Sequence, residues 1–293
     1  MPQRDGDTLN RFIFEDTTVR GEVVHLDATW RAVLERRRYP PVVRDLLGEA
    51  LAAAALLATT VKSSSALTLQ IQGDGPVNMV VVQAHPDQTL RGLAHWKGPV
   101  VAGPLPHLVG SARLAITLEP AEGRERYQGV VGLAGEDSLA EALEAYFQRS
   151  EQLDTRLWLA ANEQRAAGML IQALPDPRAD SDVWERAVSL GATVTVDELL
   201  DLPQRELLRR LFHEEDVRVF EPRPVSFRCS CSRDRIELML RGLGYDEVKQ
   251  IIDEEGEVGV TCEFCNQRYG FDPVDVEQIF AARDQPKVPP TRH

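Results

Sequence analysis

All four cysteines of the chain fall in two tight pairs near its C-terminus, Cys229-Ser-Cys231 and Cys262-Glu-Phe-Cys265, with residues 232–261 between them. Cysteines kept only for packing would be scattered through the core. Two chelating thiol pairs are the donor set of a closed tetrahedral zinc site. The same pairs can also close into two short disulfides. A four-thiolate site with no open coordination position is a poor catalyst, so spacing alone points to a structural zinc ribbon. Metal-bound thiols are nevertheless held as thiolates, the oxidisable form, and each ligand has a neighbour placed to finish a disulfide. Arg228, Arg233, Arg235 and Arg268 lie close enough in sequence to offset the negative charge of such a site.

Other candidates for chemistry are weaker. His25, His85, His95, His107 and His213 are scattered and read as solvated or satisfied side chains. Ser63-Ser-Ser65 lacks a G-x-S-x-G context and reads as a loop, and Gly73-Asp-Gly75 reads as a turn. No nucleophile–base–acid arrangement can be defended, so the chain is not read as an enzyme.

The elements that must position the cysteines follow from periodicity. Residues 10–26 read as an extended pair. A helix follows from Asp27, taken as its N-cap, and an Ala/Leu-rich helix covers 42–61. Leu67–Gln72 and Val77–Gln83 flank a Gly-Asp-Gly-Pro turn, with further strands near 112–118, 127–134, 156–161 and 168–174. Ser138 and Glu141 form a capping box for a helix over 138–149. Residues 1–176 thus read as one α+β domain with a mainly antiparallel sheet packed with helices.

Pro175-Asp-Pro177 marks a boundary, and 177–224 reads as a helical, metastable linker with patterns at 183–190, 196–201 and 204–213. Such short amphipathic helices depend on docking to neighbours. A linker of low local stability can come off and expose its apolar face. Residues 225–285 form a small four-cysteine domain with helices at 232–241 and 245–253, a hairpin around the second pair and a last helix from Pro273. Residues 286–293 are a tail.

With 293 residues, 43% hydrophobic and 27% charged, the chain has the composition of a soluble globular protein. A net charge of -13 argues against a general nucleic-acid binder. The most apolar run, Ala50 to Val61, is short of the roughly twenty residues of a membrane span. The polar start MPQRDGDTLN shows no secretory signal, so a cytoplasmic location is expected, where thiolate–metal chemistry is favoured over standing disulfides.

The cysteine pattern, with RGEVVHL (20–26), LTLQIQGDGPV (67–77), YQGVVGL (127–133), YFQRSEQLDT (146–155), GMLIQALP (168–175) and LLRRLFHEEDVRVF (207–220), resembles the redox-regulated heat-shock protein of 33 kDa, or 33 kDa chaperonin, family over nearly the whole chain. The resemblance implies an ATP-independent holdase activated by oxidation. In the reduced form one Zn2+ is held by Cys229, Cys231, Cys262 and Cys265. On activation the disulfides Cys262–Cys265 and then Cys229–Cys231 form, zinc leaves and the linker unfolds. The implied partners are unfolding client proteins, a second copy in an active homodimer, and an ATP-driven chaperone system that receives clients; neither nucleic acid nor membrane is among them. Glu263, Phe264 and the acidic insert 253–257 are expected to tune oxidation of the site. The alternative reading is a zinc-ribbon adaptor or nucleic-acid-binding protein that uses Arg228, Arg233 and Arg235. An oxidoreductase built on Cys262 and Cys265 lacks the expected βαβ context.

Overall fold

Apolar residues alternate along the N-terminal stretch, and the two strands they form keep that alternation facing two different layers. In a computed structural model of the chain, residues 6–60, 65–119, 126–133, 135–175 and 181–281 are described. Two units can be separated, Met1–Arg228 and Cys229–His293.

In the first unit, Thr8–Phe14 (β1) pairs antiparallel with Val19–Leu26 (β2). Helices Ala28–Leu34 (α1) and Pro41–Thr60 (α2) follow. Asp27 occupies the N-cap position of α1, but its side chain does not cap the helix. Its carboxylate is taken by Arg165 at 2.8 Å. The carboxylate of Asp7 caps instead, accepting from the amides of Asp27, Ala28 and Thr29 at 2.8–2.9 Å. A local sequence window cannot see a cap twenty residues away.

Next come Ala66–Gln72 (β3), Val77–Ala84 (β4), Thr89–Trp96 (β5), Leu105–Val109 (α3), Ala112–Glu119 (β6) and Tyr127–Leu133 (β7). Leu139–Tyr146 (α4) runs into a π-helical turn, Phe147–Glu151, before Thr155–Ala161 (β8) and Ala166–Ala173 (β9). Ser138 caps α4 by accepting from the Glu141 amide, but Glu141 returns its bond to the amide of Asp137 rather than Ser138. The reciprocal box therefore sits one residue wide of the expected one.

The α+β expectation holds, with the correction that the strands make two sheets rather than one. The first has the order β10-β1-β2-β9-β8, where β10 is Val217–Val219. The second has the order β12-β5-β4-β3-β6-β7, where β12 is Ser226–Phe227. Arg223–Pro224 (β11) also pairs with β1. All pairings are antiparallel except β12 with β5. Helix α2 packs against both sheets. It is buried from Leu46 to Leu57 apart from Glu49, as a helix apolar on every side must be. Strand β5 escaped the sequence reading because both of its faces are buried and Gly92 interrupts its alternation. A Cβ there would stand 2.8 Å from Val82 Cγ1 and 3.2 Å from Leu51.

Three helices, Ser181–Gly191 (α5), Val196–Asp201 (α6) and Gln204–Phe212 (α7), cover the outer face of the first sheet. Leu199, Leu200, Leu207, Leu208, Leu211 and Phe212 are buried there against Phe12, Phe14, Val23 and Met169. A complete capping box at Thr195 and Glu198 starts α6. Among the described residues, polar contacts also fasten the cover to the sheet. His25 Nε2 meets the Leu199 carbonyl at 2.9 Å, Arg165 donates to the Leu200 carbonyl, and Gln204 donates to the Thr8 carbonyl at 2.9 Å.

Candidate metal centre

The second unit is assembled from Arg233–Leu243 (α8), Tyr245–Glu255 (α9), Val258–Thr261 (β13), Arg268–Phe271 (β14) and Pro273–Ala281 (α10). Ser232 caps α8 by accepting from the Arg235 amide, and Asp272 accepts from the Asp275 amide at the start of α10. The buried core is small: Leu240, Val248, Val258, Phe271, Val276 and Ile279. So little apolar area leaves the unit marginal without a staple.

Cys229 and Cys231 lie in the extended lead into α8, and Cys262 and Cys265 lie in the turn that joins β13 to β14. That turn is closed by Cys262 N–H donating to the Gln267 carbonyl at 2.9 Å and Asn266 N–H to the Cys262 carbonyl at 2.8 Å. Asn266 takes the left-handed conformation at φ 59°, which asparagine tolerates better than most residues. The resulting knuckle directs the amides of Phe264 and Cys265 at the Cys262 sulfur, and that of Gln267 at the Cys265 sulfur.

The four sulfurs lie within 4.8 Å of one another. Cys229 and Cys262 approach to 3.7 Å, and Cys231 and Cys265 to 3.3 Å. A tetrahedron with metal–sulfur bonds of about 2.3 Å has edges of about 3.8 Å. The donor set therefore fits one tetrahedral cation, and its four-sulfur composition favours a soft or borderline metal. Burial pushes the Cys262 and Cys265 thiols up from their ordinary values, so in the protein alone these sulfurs keep their protons. A cation at the centre is what would draw the protons off. All four cysteines are half-buried, which leaves them within reach of small oxidants.

The surroundings differ from the sequence expectation. Arg228 pairs with Asp87, Arg268 with Glu257, and Arg233 with Asp275 at 2.8 Å. Arg235 donates to the Ser230 carbonyl at 2.8 Å. These arginines are engaged with carboxylates and backbone. The hydroxyl of Tyr269 instead donates to Cys231 Sγ at 3.2 Å. Sequence reasoning missed this residue. The available signal was its position on β14, four residues after the second pair and facing inward.

Of the other residues weighed from sequence, His25 is fully buried with its Nε2 on the Leu199 carbonyl, while Ser63 and Ser64 lie outside the described residues, as do most of the 175–177 boundary and the 286–293 tail. Among the described residues no helix is long and apolar enough to cross a membrane.

A family model described as Hsp33 protein matches residues 7–272. The 33 kDa chaperonin of Nitrosococcus oceani is 53% identical over 98% of this chain and 99% of its own. That of Methylobacillus flagellatus is 47% identical over 94% of each. The crystal structure of the 33 kDa chaperonin from Thermotoga maritima superposes with a TM-score of 0.81, covering 95% of this chain and 100% of that one at 23% identity. At that identity the likeness is one of fold.

Proposed function

The chain belongs to the Hsp33 family, and on that premise we propose that it is an ATP-independent holdase switched on by oxidation. Chaperone function follows from the family; the switch is what the resemblance implies, and the four clustered cysteines are compatible with it. In the reduced state Cys229, Cys231, Cys262 and Cys265 hold one zinc ion. Bound there, zinc would keep the four sulfurs as thiolates and supply most of the folding free energy of the small unit, on the order of 10 kcal/mol or more.

Oxidation proceeds pair by pair, Cys262 with Cys265 and then Cys229 with Cys231. In each step two thiolates give up two electrons to hydrogen peroxide, which takes two protons from solvent and is reduced to two waters. A disulfide sulfur no longer serves as a thiolate ligand, so the unit loses its staple. The segment from Val217 to Arg228, which reaches both sheets through β10, β11 and β12, runs without a break into Cys229. Unfolding that begins at the cysteines thus has a covalent path to the three covering helices. Their release uncovers Phe12, Phe14, Val23 and Met169, a face fit to hold apolar segments of unfolding clients.

The single observation that carries this reading is the apolar face of the first sheet, buried by short helices and followed in the chain by a unit whose four cysteines cluster. The protein is read as cytoplasmic and dimeric when active, and as handing clients to an ATP-driven chaperone after reduction. Nucleic acid, membrane and catalysis have no place in the reading.

The test follows aggregation of a thermally unfolding client in the presence of reduced or peroxide-treated protein, while a chelating dye reports metal release. Oxidation is expected to release one zinc per chain and to suppress aggregation. Release of zinc without any gain in suppression would leave a purely structural zinc ribbon as the better account.

A further inference from the structure

Between the two sheets, at the C-terminal end of α2, lies a cavity of about 270 Å³ that the chaperone reading does not use. Its wall is mostly apolar, formed by Leu57, Leu67, Ile116, Leu118, Phe147 and Leu153. Its size lies between the roughly 150 Å³ that admits benzene and the roughly 300–1,000 Å³ of sites for drug-sized molecules. The π-helical turn Phe147–Glu151 forms one rim. Such turns interrupt a helix at some cost and recur at functional sites.

Two charged groups, Arg20 and Glu151, line the cavity, and their bonding states differ. Glu151 Oε1 already accepts from the hydroxyls of Tyr127 and Tyr146, both at 3.1 Å. Arg20 is not satisfied in the same way. Its Nη2 donates to Gln172 Oε1 at 2.6 Å, a neutral acceptor. Its Nε is buried and has no hydrogen-bond partner, and no carboxylate among the described residues forms an ion pair with its guanidinium. Burial pulls the Arg20 guanidinium down from its ordinary range, against the opposing pull of Glu22. A buried donor left open is destabilising, the more so on a charged group. What Arg20 lacks among the described residues is an anionic partner, and the wall around it is suited to one joined to an apolar body.

We propose that this cavity binds a small aliphatic monocarboxylate, a fatty acid of roughly six to ten non-hydrogen atoms, with its carboxylate on Arg20 and its chain among Leu57, Leu67, Ile116 and Leu118. Binding at this site is independent of the oxidation switch and does not rest on it.

The experiment titrates the full reduced chain by calorimetry at pH 8 with sodium octanoate, octanol and octylammonium, all below their aggregation concentrations. Octanoate is expected to bind saturably, at least tenfold tighter than octanol, with octylammonium weaker still. Arg20→Met is expected to weaken octanoate tenfold or more and leave octanol unchanged. Leu118→Trp, which fills the cavity from its rim, is expected to abolish binding of both. The proposal is overturned if octanol equals octanoate, if octylammonium binds tightest (recognition would then lie with Glu151), or if none of the three binds. Unchanged octanoate binding by Leu118→Trp places the ligand elsewhere and also overturns it. Should Arg20→Met fail to fold, the three-ligand comparison on the native chain and the Leu118→Trp variant decide the matter.

Discussion

Phe212 stands edge-on to Phe14, with ring centroids 5.1 Å apart and planes at 76°. The same ring lies 5.9 Å from Phe12, so the last covering helix ends in an aromatic anchor on β1. Gly21 opposite makes room for it: Phe12 lies across Gly21 in register, and a Cβ there would fall 2.1 Å from the Phe12 ring.

Truncating this anchor is expected to loosen the cover. Phe212→Ala should cost about 3–5 kcal/mol, taken mostly from the docking of α7. Reduced, zinc-loaded variant protein should bind an apolar-surface dye and suppress client aggregation without oxidant. Dye binding equal to that of the wild type at the same temperature would count against α7 as the cover of the client face.

Tyr269 acts on the cluster through its hydrogen bond to Cys231 Sγ. On the zinc reading, Tyr269→Phe removes a donor from a ligand and should weaken the metal by about 10–100-fold. Competition against a chelating dye measures this. An unchanged affinity would reduce Tyr269 to a packing residue.

Sulfur contacts of 3.7 and 3.3 Å run between the pairs, Cys229 to Cys262 and Cys231 to Cys265. The proposed disulfides run within the pairs. Peptide mapping of peroxide-treated protein by mass spectrometry should therefore find Cys262–Cys265 first and Cys229–Cys231 later. Crossed disulfides as the main product would contradict the proposed switch.

Two carboxyls, the buried Glu22 and the half-buried Glu49, give the first unit a pH dependence. Burial, opposed by the hydrogen bond from Thr59 and by Arg11 at 3.6 Å, raises Glu22 to about 7. Burial, with the neighbouring charge of Asp45, raises Glu49 to about 7. The folded state thus holds protons that the unfolded chain has already released. The stability these groups contribute is complete below the ordinary carboxyl range and is lost as pH rises through about 7. The melting temperature of the reduced protein should fall between pH 6 and pH 8. Glu22→Gln, which keeps the acceptor for Thr59, should flatten that fall and raise stability at pH 8 by on the order of 2–3 kcal/mol. An unaltered pH profile in the variant would show that Glu22 is ionised in the fold.

Much of the site was legible because its signals are local. The four cysteines, the Ser232 cap and the β13–β14 hairpin depend on neighbours a few residues away. The strand alternations in β1, β3 and β4 and the apolar faces of α6 and α7 are of the same kind. What escaped was decided at long range. Asp7 caps α1 from the far end of a strand pair, β5 is buried on both faces and so loses its alternation, and Tyr269 reaches Cys231 only after β14 folds back.

The sequence by itself set four thiols in two chelating pairs, able to serve as one donor set or to close as two disulfides. It also determined that the segment before them would be short, amphipathic and dependent on docking. Tertiary structure alone decided what those helices cover, since one helical face carries no address for the sheet that receives it. It likewise decided that the strands divide into two sheets around α2, and that this division leaves Arg20 facing an apolar cavity with a donor unmet. Packing of elements distant in the chain sets these relationships, and no periodicity within a single element encodes them.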